Sequence, residues 1–159
     1  MTENTDAARL PRWEELPDLA LYMDQVLSLM ERYLGACPGA AGKGLTASMV
    51  NNYVKMGAVP PPVKKRYGRE HLAMLIMLCL LKQVLPIVSV KTLLDRRIEK
   101  DGLPAAYDGF CTLYEQAGQA AAAALEDAEG TGAEQILRAA LRAQAEQAVT
   151  LRMLAQPEG

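Results

Sequence analysis

Histidine is scarce in this sequence, which holds a single one, His71, among 159 residues. Catalytic triads and Cys-His pairs need a histidine base, and zinc sites draw on several imidazole or thiolate ligands. The three cysteines lie far apart and form no C-x-x-C pair. The sequence therefore predicts no catalytic residue, no metal site and no cofactor, and we expect the protein not to be an enzyme. We interpret His71 as a solvent-facing or structural histidine.

Long apolar runs are also missing. The longest, LAMLIMLCLL at residues 72–81, has half of the roughly 20 residues that a membrane-spanning helix requires. The N-terminus, MTENTDAARLPRW, is polar and contains acids, unlike a signal peptide. Cys37, Cys79 and Cys111 are expected to be reduced, buried small hydrophobes. These features predict a cytoplasmic protein that makes no membrane contact.

Aromatic residues are few, with one Trp and one Phe, whereas Leu, Ala and Met dominate. Unbranched side chains of this kind keep their rotamer freedom in a helix. The length suits one domain with a substantial core. We therefore predict an all-α fold.

The N-terminal part of the chain predicts a leader followed by one amphipathic helix. Residues 1–16 are expected to be a loose leader, pinned to the body by Trp13. Asp18 is a suitable N-cap for a helix whose apolar residues recur at three- and four-residue spacing as far as Gly35. The stretch 35–44 is too rich in glycine for regular structure and predicts a loop.

Residues 45–102 predict three further helices. The first is short, begins after Thr46 and ends before Gly57, which suits the left-handed position after a helix. The second runs from residue 69 to about 85 and is apolar nearly all round, so we expect it at the centre of the fold or of a dimer. The third restarts at Ser89, after a proline.

The C-terminal residues 103–159 predict an antiparallel hairpin of two long helices. Their alanine-rich segments are strong helix formers, and Thr131 with Glu134 forms a capping box that opens the last helix. The simplest role of such a hairpin is packing. It could also supply a dimer seam, or a site for a small-molecule or protein effector.

Basic residues are concentrated in one segment of the chain. Between Lys43 and Arg69 there are six basic residues and no acid, while the other 11 basic residues are outnumbered by 19 acids, a net charge of −8. Such a distribution attracts anions to one part of the molecule and repels them from the rest. Composition alone is equally consistent with an ordinary solvated loop.

The short helix beside this segment makes it a candidate DNA-binding surface. A helix of about eleven residues that exposes two amides and a lysine fits the major groove, where asparagine pairs bidentately with adenine. A proline-stiffened basic loop next to it can hold the phosphate backbone. We predict base-facing roles for Asn51, Asn52 and Lys55, and phosphate contacts for Thr46, Lys64, Lys65, Arg66, Tyr67 and Arg69.

This segment resembles the winged DNA-binding domain of MerR-type bacterial regulators over residues 45–94. Tyr53 and Gly57 correspond to the end of the recognition helix. The wing corresponds to the prolines at 60–62, the basic residues 64–66 and Tyr67, and the following helix pair corresponds to REHLAMLIMLCLLKQVLPIVSVKTLL at 69–94. The resemblance implies a MerR-like winged helix-turn-helix core and a transcriptional regulator that binds double-stranded DNA. We expect a homodimer, because one such surface gives modest affinity and symmetry supplies two half-sites.

A second resemblance covers most of residues 16–114. The segments ALYMDQV (20–26), MVNNYVKMG (49–57), KKRYGREHL (64–72) and LLKQVL (80–85) resemble a family of small bacterial proteins classed as a domain of unknown function, DUF1836. That resemblance implies a similar fold and no particular activity. We accordingly divide the chain into a leader (1–16), a helix-turn-helix-like DNA-binding domain (17–102) and a C-terminal hairpin (103–159). The alternative function is a helical protein-interaction module that does not bind DNA.

Overall fold

The structure, a computed structural model, describes residues 9–35, 37 and 44–157. Within these residues the regular structure is helical throughout, which confirms the predicted all-α class. A single 3-10 turn precedes the first α-helix. The α-helices are α1 (Met23–Leu34), α2 (Ala47–Lys55), α3 (Arg69–Leu81), α4 (Ile87–Asp101), α5 (Leu103–Glu126) and α6 (Gly132–Ala155).

Helix α3 is the centre of the fold. Every residue from His71 to Leu80 is buried, and α1, α4 and α5 pack around the helix. A helix that is apolar on all sides is stable only when other elements cover it, so the predicted central position is confirmed. The helix ends at Leu81 rather than near residue 85, and the chain then turns so that Leu85 is also buried.

The predicted start of α1 is wrong. Asp18 does not cap the helix, which begins five residues later at Met23. The backbone of Leu21 pairs with the backbone of Tyr67, and Tyr22, the residue before the helix, is extended. The side chain of Gln25 accepts the Tyr22 amide hydrogen at 2.9 Å. A tertiary contact therefore delays the helix beyond its local start signal.

The predicted start of α4 is also wrong, whereas its end is confirmed. Ser89 lies inside the first turn, because the helix already begins at Ile87, directly after Pro86. The fixed φ of proline is compatible with the residues that lead into a helix. At the other end, Gly102 has a φ of +78°, which favours glycine, and closes the helix as expected.

Cap signals read from the sequence were more accurate at α2 and α6. Thr46 caps α2 and Thr131 caps α6, each side chain accepting a hydrogen bond from the backbone amide of the third residue of the helix. Gly57, at a φ of +75°, follows α2 as predicted. Most of the predicted glycine-rich loop at 35–44 lies outside the described residues, as does Lys43.

The segment before α1 is anchored to the core rather than loose. Leu10 and Leu16 are fully buried. The Tyr107 hydroxyl donates a hydrogen bond to the Pro11 carbonyl oxygen at 2.6 Å, and the Trp13 ring packs edge-on against Tyr107 as expected for a pin. A few apolar side chains are thus enough to hold a short polar segment against the core, because Tyr107 of α5 packs against it. The remainder of the predicted leader lies outside the described residues.

All three cysteines are free and buried, as predicted. Burial raises the pKa of the Cys79 thiol to about 11, although the nearby Lys82 ammonium acts in the opposite direction. Burial likewise raises the pKa of the Cys111 thiol. Neutral thiols are poor nucleophiles and poor metal ligands, so these side chains behave as small hydrophobes.

Helices α5 and α6 follow each other through a short turn and face each other across a groove rather than packing closely, and the start of α5 belongs to the core. Tyr107 and Cys111, in the first half of α5, are fully buried within the same core as α3. The division placed at residue 103 therefore cuts through one packed core. Beyond Tyr114 nearly all side chains are exposed, and a groove of about 470 Å³ runs between the alanines of α5 and the facing side of α6.

Candidate nucleic-acid interface

Helix α2 is fixed to the body by its buried side. Val50 is fully buried, and the Tyr53 ring is 7% exposed. The Tyr53 hydroxyl accepts a hydrogen bond from the Lys82 ammonium at 2.9 Å, and that ammonium lies 5.5 Å from the ring centroid. A charge-assisted hydrogen bond of this kind resists rotation of the helix. The orientation of the opposite side of α2 is thus set by the core.

The opposite side of α2 presents the predicted base-facing residues to solvent. Asn51, Asn52 and Lys55 are exposed, and they line one shallow depression together with Ser48 and Met49. Ser48 was missed in the sequence, although it precedes Asn52 by four residues and therefore shares its helical face. We refer to Ser48, Asn51, Asn52 and Lys55 as the amide face.

The chain reverses immediately after α2. The backbone amides of Ala58 and Val59 both donate to the Tyr53 carbonyl oxygen, at 2.9 and 3.3 Å. The positive φ of Gly57 permits this reversal, and a side chain there would also meet Lys91. Ala58 and Val59 are buried, so the prolines that follow begin from a fixed point.

His71 joins the proline segment to the start of α3. Its Nδ1 accepts a hydrogen bond from the Gly68 amide at 2.9 Å, and its Nε2 lies 3.2 Å from the Pro61 carbonyl oxygen. A carbonyl can only accept, so the ring must carry its proton on Nε2. The side chain is 2% exposed, and the Tyr67 ring packs edge-on against it at 5.2 Å. His71 is therefore structural, one of the two roles expected for it, and not solvent-facing.

Two lysines form the tip of a tight turn in the basic segment. The backbones of Val63 and Arg66 exchange both hydrogen bonds, at 3.0 and 2.9 Å, which leaves only Lys64 and Lys65 between them. Both lysines have positive φ, 50° and 61°. A two-residue turn of this conformation normally carries Asn-Gly, and positive φ costs another residue roughly 1–2 kcal/mol. We call residues 63–66 the lysine turn.

Replacing Lys64 with Asn and Lys65 with Gly is expected to stabilise the protein by about 1–2 kcal/mol. Asn tolerates the left-handed conformation and Gly has no Cβ to resist it. The free energy of unfolding from urea titration would measure the gain. The matched control is K64A/K65A, which removes the same charges but keeps both Cβ atoms. An equal gain in that variant would mean that charge repulsion, and not backbone strain, destabilises the turn.

The side chain of Arg66 contacts the segment that leads into α1. Its guanidinium carbon lies 3.8 Å from the centroid of the Tyr22 ring, and the group donates to the Ala20 carbonyl at 3.3 Å and to the Tyr22 hydroxyl. Cation–π contact and hydrogen bonding together hold the lysine turn against the body. The sequence offered no signal for this partner, because Tyr22 is 44 residues away.

Arg69 and Tyr67 also have internal partners. Arg69 donates from Nε to the Leu16 carbonyl oxygen at 3.1 Å, and its side chain is only 18% exposed. Tyr67 is 4% exposed, and its backbone pairs with Leu21. The Tyr67 ring therefore belongs to the core, and its predicted contact with phosphate stays a prediction. Arg69 is positioned by the segment before α1 rather than held out to solvent.

The amide face and the lysine turn line two separate depressions of the surface. Thr46 lies next to the first of them, with its oxygen occupied as the N-cap of α2. The depression beside the lysine turn is of mixed charge, since Asp18 and Glu70 line it together with the basic side chains. No hydrogen bond or ion pair among the described residues connects the amide face to the turn. The cationic tip itself is formed by Lys64 and Lys65, both exposed.

Two other kinds of site do not occur in the part of the chain that the structure describes. Three or more His, Cys, Asp or Glu side chains never come together there in a group able to hold a metal ion. Nor does any helix in that part combine the length and the apolar character needed to cross a membrane.

A known protein family matches the part of the chain that contains the candidate interface. No curated protein and no solved structure matches the chain. The family model of DUF1836, a domain of unknown function, matches residues 11–111. That range includes the anchored segment before α1, the amide face and the lysine turn, and it stops where α5 leaves the core. The chain belongs to the DUF1836 family.

Proposed function

We propose that this protein is a DNA-binding transcriptional regulator of the MerR-like winged helix-turn-helix type. In this proposal α2 is the recognition helix and the lysine turn is a short wing. The observation that carries it is the lysine turn itself, which holds two exposed cations at strained positive φ angles on a rigidly supported tip. Residues held in sparsely populated φ regions are found most often at functional sites, which supports a role for these two side chains.

The dimensions and chemistry of α2 support a role in reading bases. The helix has nine residues and directs two amides and one lysine away from the core. Such a helix fits the major groove, where Asn51 or Asn52 could pair with adenine and Lys55 with guanine or phosphate. Its buried side is locked by Tyr53, so the side chains would meet DNA in a set orientation.

The contacts within the protein narrow the residues proposed to hold phosphate. Lys64 and Lys65 are free to do so, and the hydroxyl hydrogen of Thr46 can donate while its oxygen caps α2. Arg66 and Arg69 are assigned instead to supporting the turn, since each guanidinium already has partners inside the protein. The proposed regulator is a cytoplasmic homodimer, which doubles this small set of contacts.

A helical protein-interaction module is the second candidate. It is favoured by the large apolar side chains that α5 and α6 leave exposed, among them Leu113, Leu125 and Ile136. The groove between the two helices could also receive an effector of a DNA-binding protein. The two candidates differ in whether the basic segment binds a polyanion.

The salt dependence of duplex binding tests the proposal. Two lysine contacts in each subunit give four per dimer, and log affinity should fall with log salt at a slope of about −4. A slope near −7 would show that Arg66 and Arg69 leave their internal partners to contact phosphate as well. Fluorescence anisotropy with a labelled duplex between 50 and 300 mM salt measures the slope. Absence of binding, or a flat response, would favour the interaction module.

A further inference from the structure

We propose that α6 is a homodimer interface, and that it packs antiparallel against α6 of a second copy with the twofold axis beside Gln144. This inference does not depend on DNA binding. It rests on the apolar residues that α6 exposes on the side away from α5 and on a charge pattern that complements itself.

The two sides of α6 have different characters. Gln135, Ala139, Arg142 and Glu146 line the groove that faces α5. At 100° per residue, the opposite side of the helix carries Leu137, Ala140, Leu141, Ala148 and Leu151. Leu137 and Leu141 are each 58% exposed, and Leu151 is 36% exposed. The more apolar side of the helix is therefore the one turned away from its own hairpin.

The described residues of its own chain leave most of this apolar side uncovered. The C-terminal half of α6 contacts the body of the protein, where Gln147 donates to the Val84 carbonyl in the turn before α4 and Arg96 of α4 donates to the Leu154 carbonyl oxygen. Those contacts use a neighbouring side of the helix. A row of leucines and alanines left open over four turns is characteristic of an interaction surface.

Four of these five apolar residues are spaced symmetrically about Gln144. Turning one helix over at that residue sets Leu137 opposite Leu151 of the partner subunit and Ala140 opposite Ala148 of the partner subunit. Each of these four residues then meets one of its own size, whereas the position that mirrors Leu141 is Gln147. An isologous interface requires this kind of self-complementary surface, which an unrelated partner would not impose.

The charges beside the apolar row fit the same arrangement. Glu134 and Arg152 lie on the same flank of α6, so antiparallel packing brings Glu134 close to the partner subunit's Arg152, and the reverse. Both Arg138 contacts to Glu134 use Oε1, at 3.1 and 2.6 Å, which leaves Oε2 available. Arg152 has no ion pair with a described residue of its own chain. Parallel packing would instead leave Glu134 and the partner subunit's Arg152 at opposite ends of the interface, roughly 27 Å apart along the helix axis.

Sedimentation equilibrium of the full chain, without DNA, tests the interface. The wild-type protein should be a dimer at micromolar concentration, and L141E should be a monomer with an unchanged circular dichroism spectrum. The matched control is L113E on α5, since Leu113 is equally exposed at 59%, and it should remain a dimer. A monomeric wild type, or a dimer broken by L113E but not by L141E, would overturn the proposal.

A charge exchange and a crosslink test the antiparallel register. E134R and R152E should each weaken the dimer about three- to tenfold, because each reversal affects two symmetric pairs, whereas E134R/R152E should restore it. Q144C should form a disulfide-linked dimer under mild oxidation, since only a residue at the axis meets its own copy. A double variant weaker than both single variants, or no crosslink in a protein that is dimeric, would rule out this register. DNA binding measured on the same variants keeps failure here separate from failure of the proposed function.

Discussion

Replacing Lys64 and Lys65 with glutamate should lower the affinity for duplex DNA roughly 1000-fold at physiological salt. At 0.15 M salt each phosphate contact contributes about a factor of five through counterion release, and a dimer would lose four of them. The new carboxylates add repulsion. Stability should change by less than about 0.5 kcal/mol, because both side chains are exposed and have no ion-pair partner among the described residues. Anisotropy titration of one duplex with both proteins measures the difference.

The matched control for this reversal is R32E/K100E. Arg32 on α1 and Lys100 on α4 are exposed and are not proposed contacts, so this variant changes the net charge by the same amount elsewhere. It should bind within a few-fold of the wild type. Equal loss in the two variants would show that DNA responds to total charge and that the lysine turn has no special role. Wild-type affinity in the variant with glutamate at positions 64 and 65 would show that the lysine turn does not contact phosphate.

Replacing Asn51 and Asn52 with alanine should affect binding to a preferred sequence and binding to a random duplex differently, and the same titration measures both. If these amides read bases, their removal costs roughly 1–3 kcal/mol at a preferred sequence and almost nothing on a random duplex. The lysine reversal, by comparison, should weaken binding to both duplexes equally.

Replacing His71 with alanine should destabilise the protein by about 3 kcal/mol. The change removes a buried ring and leaves the Gly68 amide and the Pro61 carbonyl without partners, and each buried polar group left unpaired costs roughly 1–3 kcal/mol. For a domain of this size the loss is a large part of the total stability. The urea midpoint at pH 7 measures it.

Q116A is the control for that measurement. Gln116 is an exposed residue of α5, so its truncation should change stability by less than about 0.5 kcal/mol. A loss below 1 kcal/mol in H71A would mean that water reaches both backbone groups and replaces the ring. The position of the lysine turn would then depend on Arg66 and Tyr22 rather than on the histidine.

Features fixed by neighbouring residues could be predicted from the sequence. The Thr46 and Thr131 caps, the glycines after α2 and α4, and the centrality of α3 all follow from side chains within a few positions. The start of α1 could not be predicted, because it depends on a backbone pairing between Leu21 and a residue 46 positions later. Local propensity favoured an earlier start, and the tertiary contact overrode it.

In the candidate site, too, some features could be predicted from the sequence and others could not. The exposure of Asn51, Asn52 and Lys55 followed from helical periodicity alone. The internal partners of Arg66 and Arg69 did not, because a guanidinium in a basic run gives no sign of whether it contacts solvent, an aromatic ring or a distant carbonyl. Burial of Tyr67 was equally hidden, since nothing near it in the sequence marks a core position.

The central position of α3 links the stability of the whole molecule to the geometry of the candidate interface. The first turn of the helix carries His71, which holds the proline segment, while the residues that follow it pack against α1, α4 and α5. A cavity opened anywhere along α3 would therefore loosen both at once. In this fold, a substitution far from the lysine turn can therefore change the geometry of the candidate interface without touching any of its residues.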